Sequence, residues 1–456
     1  MDNDSGGFSG VVKILNVDDF LVPSQACVLP LSGESDMKVG IKIKGQSKVA
    51  KKKVVVTLND CLACSGCITS AETILVGEQS EARFLEGLMN SELSVLTVSP
   101  QSLASIAYKR GCQISEAAEL VGKNFKSLGV RYVVDSSFGR QLTLSLSYDE
   151  FKKQHLKKPI LTGVCPGFVC YAEKTHGELL IPHMSRVRSP QAVMGALVKD
   201  YLARKFDLKP EKIFHTAVMP CFDKKLEAAR PHPLKFQYRE VDCVLSTAEV
   251  DKLLSENSSF DFRPSNEAIN WLNAIENGFV INTDGGSSGG YAEYVVERFI
   301  TELNKPKVCH KSFLLVATEQ SNNRHHFREK NLEIIDVFDG AEKLLTVAKC
   351  YGFRNIQNHV QKLKRSKCNY DYVEIMACPS GCINGVGQIR GVSEEGKKQI
   401  LTLVESPSRS SSSESQQELE ELKKEWSILN PDWTNLLYTQ YQSVTNSVRG
   451  NIGSDW

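Results

Sequence analysis

No uninterrupted apolar run in this sequence comes near the roughly 20 residues that a bilayer-spanning helix needs, so a membrane-spanning protein is not indicated. Net charge is almost absent, with 55 Lys and Arg against 54 Asp and Glu, and nothing in that balance calls for a polyanion as partner. The basic stretch Lys42-Ile43-Lys44, Lys48 and Lys51-Lys52-Lys53 reads more simply as a solvated loop or edge strand than as a nucleic-acid contact. Met1-Asp2-Asn3-Asp4-Ser5 lacks the apolar core of a secretory signal, and the Arg-rich amphipathic character of a mitochondrial presequence is lacking as well. The chain is therefore expected in the cytoplasm, with the nucleus as a second compartment, and with neither membrane nor nucleic acid as partner. Disulfides are scarce in that reducing setting, so clustered cysteines point to metal.

Cysteine itself is plentiful, at 14 residues. One group is Cys61-Leu62-Ala63-Cys64-Ser65-Gly66-Cys67. A [4Fe–4S] cube needs four thiolates, and a Cys-x-x-Cys-x-x-Cys run wraps three of its corners with one tight loop. A zinc site usually brings two separated Cys/His pairs, and no second pair lies nearby. Cys27 is the expected fourth ligand, although Cys112 is also free in sequence terms. A second group is dispersed as Val164-Cys165-Pro166, Met219-Pro220-Cys221 and Met376-Ala377-Cys378-Pro379-Ser380-Gly381-Cys382.

Coarse patterning divides the chain. Residues 1–90 carry the compact cysteine loop, with too few apolar residues to hold a core without metal. Residues 91–404 alternate strand-like runs with amphipathic stretches, the signature of α/β layers with largely parallel sheets. Expected buried strands are Val95–Val98, Val130–Val134, Ile160–Val164, Ile213–Val218, Val241–Leu245, Phe313–Ala317 and Tyr372–Met376. Ser189-Pro190 should open a helix, since proline suits the first helical turn. Residues 405–416 are a Ser-rich linker, and 417–456 hold a helical segment and a tail ending in Trp456.

Cys165, Cys221 and Cys378 each follow an expected strand, and ligands of open α/β sheets gather at the carboxyl ends of strands. They can therefore meet in one crevice, with Cys382 added from the next turn. Buried structural cysteines are the plainer alternative, but Cys378-Pro379-Ser380-Gly381-Cys382-Ile383-Asn384-Gly385-Val386-Gly387 packs two cysteines and three glycines into one turn. Glycine there lets backbone amides approach an inorganic sulfide. Cys112, Cys170, Cys243, Cys309, Cys350 and Cys368 are assigned to packing, and His176, His310, His325 and His326 show no ligand spacing. Gly285-Gly286-Ser287-Ser288-Gly289-Gly290 lacks the Gly-Lys-Ser/Thr ending of a phosphate loop.

Taken in order, Asp60–Cys67, Cys165-Pro166-Gly167-Phe168, Arg188-Ser189-Pro190-Gln191, Met219-Pro220-Cys221-Phe222-Asp223-Lys224-Lys225, Gly289-Gly290-Tyr291-Ala292-Glu293 and Met376–Cys382 resemble the [FeFe]-hydrogenase family. The resemblance is to its eukaryotic, non-hydrogenase branch, the cytosolic iron–sulfur assembly factors also called nuclear prelamin A recognition factor-like proteins. It implies two α/β lobes with mostly parallel sheets flanked by helices, clasping a cube, plus a small N-terminal ferredoxin-like cluster domain. It further implies that Cys165, Cys221, Cys378 and Cys382 hold this cube, and that Lys224 matches a lysine that contacts the diiron centre in hydrogenases.

Two departures bear on activity. Where hydrogenases carry a proton-passing cysteine before the first cube ligand, this chain has Val164, which carries no proton. Val386 also adds bulk in the turn where a diiron unit would sit. The expectation is a non-catalytic component of the cytosolic iron–sulfur assembly machinery with two [4Fe–4S] clusters, linking upstream scaffold proteins to the targeting complex that matures apoproteins. The rivals are an active hydrogenase and a prelamin-tail-binding protein, the latter without support in any residue. Asp455-Trp456 resembles the tails by which such factors dock on the targeting complex, an aromatic anchor beside carboxylates. A frayed terminus is the alternative, and Ser454 departs from the aliphatic residue usual at that place.

Overall fold

A computed structural model describes residues 70–153, 159–230, 234, 236–256, 289–303, 328–329, 331–339, 342–389, 391–405 and 413–444. Cys27, Cys61, Cys64, Cys67, Cys309, the expected strand at 313–317, most of the Ser-rich linker, Asp455 and Trp456 lie outside the described residues.

The strands are β1 (Leu93–Val98), β2 (Tyr132–Asp135), β3 (Ile160–Leu161), β4 (Ile213–Met219), β5 (Cys243–Ser246), β6 (Arg328–Glu329), β7 (Leu332–Asp339), β8 (Glu342–Tyr351) and β9 (Tyr372–Met376). They form two sheets, ordered β2-β1-β4-β5 and β3-β9-β8-β7-β6. The first is parallel throughout, with Leu96 opposite Val133 and Thr216. In the second, β3, β9 and β8 are parallel, while β7 and β6 are antiparallel. The β7–β8 hairpin was not anticipated. Its β7 sequence, Leu332-Glu333-Ile334-Ile335-Asp336-Val337, breaks strict alternation at Ile334-Ile335.

Helices needed to place the site are α1 (Ser70–Glu78), α2 (Pro100–Arg110), α3 (Ser137–Lys153), α4 (Pro166–Thr175), α5 (Pro190–Ala196), α6 (Asp223–Ala229), α7 (Glu394–Glu405) and α8 (Ser413–Leu429). Ser189 caps α5 by accepting from Ala192 N at 3.3 Å, with Pro190 in the first turn as expected. Ser99 and Pro100 repeat this device at α2.

The first sheet is covered on both faces. Leu96, Val98, Val133, Val218 and Leu245 pack with Leu103, Val121 and Phe125 on one side. Val95, Tyr132, Val134 and Ile213 pack with Val193, Met194, Tyr201 and Trp426 on the other. Residues on both flanks pack against this body. Phe84 lies within the first core, and α8 places the fully buried Trp426 against Trp433, ring centroids 4.7 Å apart. The Trp426 indole N–H also donates to Asp200 Oδ2 at 2.7 Å. Trp426→Ala should therefore destabilise the protein by about 3–5 kcal/mol, the usual cost of deleting a large buried aromatic, and a lowered urea midpoint checks it.

Candidate metal centre

β3 and β9 are neighbours running the same way, and each ends two to four residues before a cysteine, Cys165 and Cys378. β4 of the other sheet ends at Met219, two residues before Cys221. Cys382 follows the tight bend at Ser380 and Gly381, both with positive φ (61° and 75°). Glycine adopts that region freely. Ser380 is held there by Asn331, whose Oδ1 accepts from Ser380 N at 2.8 Å. The three strand ends and the turn thus bring cysteines of both sheets to one place.

The turn after Cys382 joins the two sheets. Gly387 N donates to Pro220 O at 2.9 Å, Ala248 N donates to Gly387 O at 3.0 Å, and Gln388 Nε2 donates to Gln101 O at 3.0 Å. A Cβ on Gly385 would stand 2.3 Å from Pro220 O, and one on Gly387 would stand 3.1 Å from the Cys221 Cα. Only hydrogen at these positions permits so close an approach.

Burial dominates the thiols. It pushes Cys221 and Cys378 well above the ordinary thiol range, raises Cys165, and takes Cys382 to about 12. The neighbouring thiols add to this: Cys221 feels Cys378, Cys382 and Cys165. Lys224 and Arg140 oppose it at Cys382, while Glu374 reinforces it. The four sulfurs are therefore mutual neighbours. Yet among the described residues no three His, Cys, Asp or Glu close up on a single metal ion. Backbone amides also point at the sulfurs, Ala377 N to Cys165 Sγ at 3.3 Å, Phe168 to Cys165 and Val386 to Cys378, as second-layer donors to cluster thiolates do. The donor set and its glycine cradle fit an iron–sulfur cube.

Lys224 Nζ donates to Val164 O at 3.3 Å and to Glu227 Oε2 at 2.7 Å. Burial alone would favour its neutral form, but Glu227 and the thiols of Cys221 and Cys382 outweigh that and raise its proton affinity. Val164 is itself buried. Sequence reasoning missed Arg140 and Glu374, which act on Cys382 beside Lys224. Glu374 was detectable, since it stands inside the otherwise apolar strand Tyr372-Val373-Glu374-Ile375-Met376 and is fully buried there. It accepts from Tyr351 Oη at 2.6 Å and Ala292 N at 2.8 Å. Arg140 sits in the first turns of α3 and carries no readable signal. Of the cysteines assigned to packing, Cys170, Cys243 and Cys350 are buried, and Cys112 and Cys368 are partly so.

The fold is that of the [FeFe]-hydrogenases. Solved structures of an [FeFe]-hydrogenase from Chlamydomonas reinhardtii match at TM-score 0.60 and 22% identity, covering 80% of this chain and 99% of that one. The model of the iron-only hydrogenase large subunit, C-terminal domain, matches residues 92–386, which include all four cysteines. A probable cytosolic Fe–S cluster assembly factor of Brugia malayi is 62% identical over 100% of both chains. One of Caenorhabditis elegans is 45% identical over 98% of both, and cytosolic iron–sulfur assembly component 3 of Rattus norvegicus is 40% identical over 98% of this chain and 99% of its own. The chain belongs to the [FeFe]-hydrogenase-like family, in its branch of cytosolic Fe–S cluster assembly factors.

No helix among the described residues is long and apolar enough to cross a membrane. Gly385→Ala should push the 382–387 turn off Pro220 and destabilise the metal-free protein by about 1–3 kcal/mol, as overpacking does. A thermal melt of the two proteins side by side checks this.

Proposed function

We propose that this protein is a non-catalytic component of cytosolic iron–sulfur protein assembly that carries two [4Fe–4S] clusters. One is held by Cys27, Cys61, Cys64 and Cys67 in an N-terminal cluster domain (residues 1–90). The other is held by Cys165, Cys221, Cys378 and Cys382 in the two-lobed body (91–404). The Ser-rich linker (405–416) and the C-terminal segment (417–456) complete the chain. The observation that carries this reading is the convergence of four desolvated thiols, Cys378 buried and Cys165, Cys221 and Cys382 partly so, from the ends of β3, β4 and β9 and the following turn. When bound, a cube would supply one-electron redox chemistry or serve as cargo.

The chain's own residues act on that centre by holding it. Ala377, Phe168 and Val386 direct amides at the thiolates, and Lys224 offers a charge that Glu227 keeps in place. Hydrogenase chemistry needs a proton carrier beside the centre, and Val164 is an apolar residue whose carbonyl is occupied by Lys224. That residue supports a role in assembly over hydrogen turnover. The names of the relatives support the same role in the cytosol. In this reading the protein links upstream scaffold proteins to the targeting complex, with Asp455 and Trp456 as the docking tail.

Anaerobic reconstitution tests the reading. The wild-type chain should hold about eight irons, and Cys64→Ser and Cys382→Ser should each fall to about four, with loss of a different paramagnetic resonance signal in each. Infrared bands of Fe–CO and Fe–CN together with hydrogen evolution would instead establish the hydrogenase.

A further inference from the structure

We propose that the C-terminal strap, residues 438–444, is a gate over the Cys165 side of the metal centre. It lifts by local opening of residues 438–444 while the rest of the body stays folded. This deepens the reading above and rests on Cys165 being a ligand of the second cube.

The strap is seated against two elements that meet at Cys165. First it pairs as an antiparallel strand with the segment that leads into α5. Arg188 N donates to Leu437 O at 3.0 Å and Thr439 N donates to Arg186 O at 2.8 Å, around the bridge of Val187 with Tyr438. Next, Tyr441 crosses the loop between β3 and Cys165 and donates from Oη to Ser185 O at 3.0 Å. It lies so close to Gly163 that a Cβ there would stand 2.0 Å from its Oη. Last, the strap grips the helix that Cys165 caps. Gln442 N donates to Glu173 Oε1 at 3.2 Å, and Val444 N donates to Glu173 O at 3.0 Å. Ser443 sits on Gly177, where a Cβ would stand 2.2 Å from its Oγ.

Between the strap and the Cys165 loop lies a cavity of about 70 Å³. Gly163, Pro166 and Val169 form one wall, Thr439 and Tyr441 another. Tyr441 and Cys165 pack on the same apolar core. Removing the tyrosine would therefore open a path from solvent to the loop that carries the thiol.

The strap also differs in firmness from what precedes it. Trp433, Leu436 and Leu437 are buried in the core of the first sheet. Beyond Leu437 no described residue of the chain is fully buried, and the hold is mainly hydrogen bonds at half-exposed positions. Segments with few apolar contacts and exposed backbone bonds open locally long before the whole protein unfolds. A hinge at Leu437, fixed on one side and loosely held on the other, lets the strap lift while the body stays folded.

The test uses the full chain, free of iron, with iodoacetamide as probe and peptide mass spectrometry to follow each cysteine. Tyr441→Ala should speed alkylation of Cys165 about tenfold, local opening being what the reagent reads, while Cys243 in the first core is unchanged. Tyr441→Phe keeps the ring over Gly163 and should stay near the wild-type rate. Equal Cys165 rates in wild type and Tyr441→Ala overturn the gate. If Cys243 also speeds up in Tyr441→Ala, the decision passes to Thr439→Pro, which removes the N–H given to Arg186 and constrains the backbone of the strap alone. A Cys165 rate that rises there supports the gate, and one that does not overturns it. The ligand reading is tested separately, since bound iron and sulfide should protect Cys165 in the wild type. Reactivity unaffected by iron would sink that assignment whatever the strap variants show.

Discussion

Desolvation of four thiols is the constraint around which the body is arranged. A thiol buried among apolar neighbours keeps its proton, and gathering several makes each harder to ionise, as the raised values at Cys221, Cys378 and Cys382 show. Iron reverses that preference, because the thiolate is what the metal binds. In the proposed reading, the same burial that disfavours ionisation of the metal-free thiols would hold the thiolates once iron is bound, and metal binding and folding would be coupled through ligands from both sheets.

Near this point the two sheets are joined by Lys224 on Val164 O, by the Arg230–Glu173 ion pair and by the turn after Cys382. Gly387 and Gln388 reach across to Pro220, Ala248 and Gln101 by single hydrogen bonds. Contacts of that kind contribute about 1 kcal/mol each. By contrast, α1 is tied in by several groups at once. Gln79 donates to Lys225 O at 2.7 Å and accepts from Val244 N at 3.1 Å, while Lys225 Nζ donates to Gln79 O at 2.7 Å and to Glu249. Val76 packs on Cys170 and Leu226, and Glu72 pairs with Lys174. Thus the helix that begins three residues after Cys67 rests on α4 and α6, the helices that follow Cys165 and Cys221.

Much of this was legible in the sequence, and for identifiable reasons. β1, β2, β4 and β9 are short apolar runs rich in Val and Ile, and β9 was delimited as Tyr372–Met376. The Ser-Pro start of α5 follows from capping alone. Placement of Cys165, Cys221 and Cys378 after strand ends needed only the rule for open α/β sheets. What stayed hidden depends on tertiary partners. β3 covers two residues where five were expected, because the chain beyond Leu161 turns aside to reach Cys165. The charges around Cys382 come from α3 and β9, so no local pattern joins them.

The path of the C-terminal segment is the clearest case of information that only the folded chain holds. Its sequence reads as a polar helix and a tail, with no indication of where either would rest. Yet Trp426 fills the core of the first sheet, and Tyr441, fifteen residues on, lies over Gly163 on the second. A single chain end thus spans both lobes on the side of Cys165, while the glycine turn after Cys382 joins them on the other. Between those two ties, the distance separating β4 from β3 and β9 governs whether four sulfurs can share one centre. In the proposed reading a departing cluster loosens its hold on one lobe before the other, and the half-exposed strap marks the Cys165 side as the one to yield first.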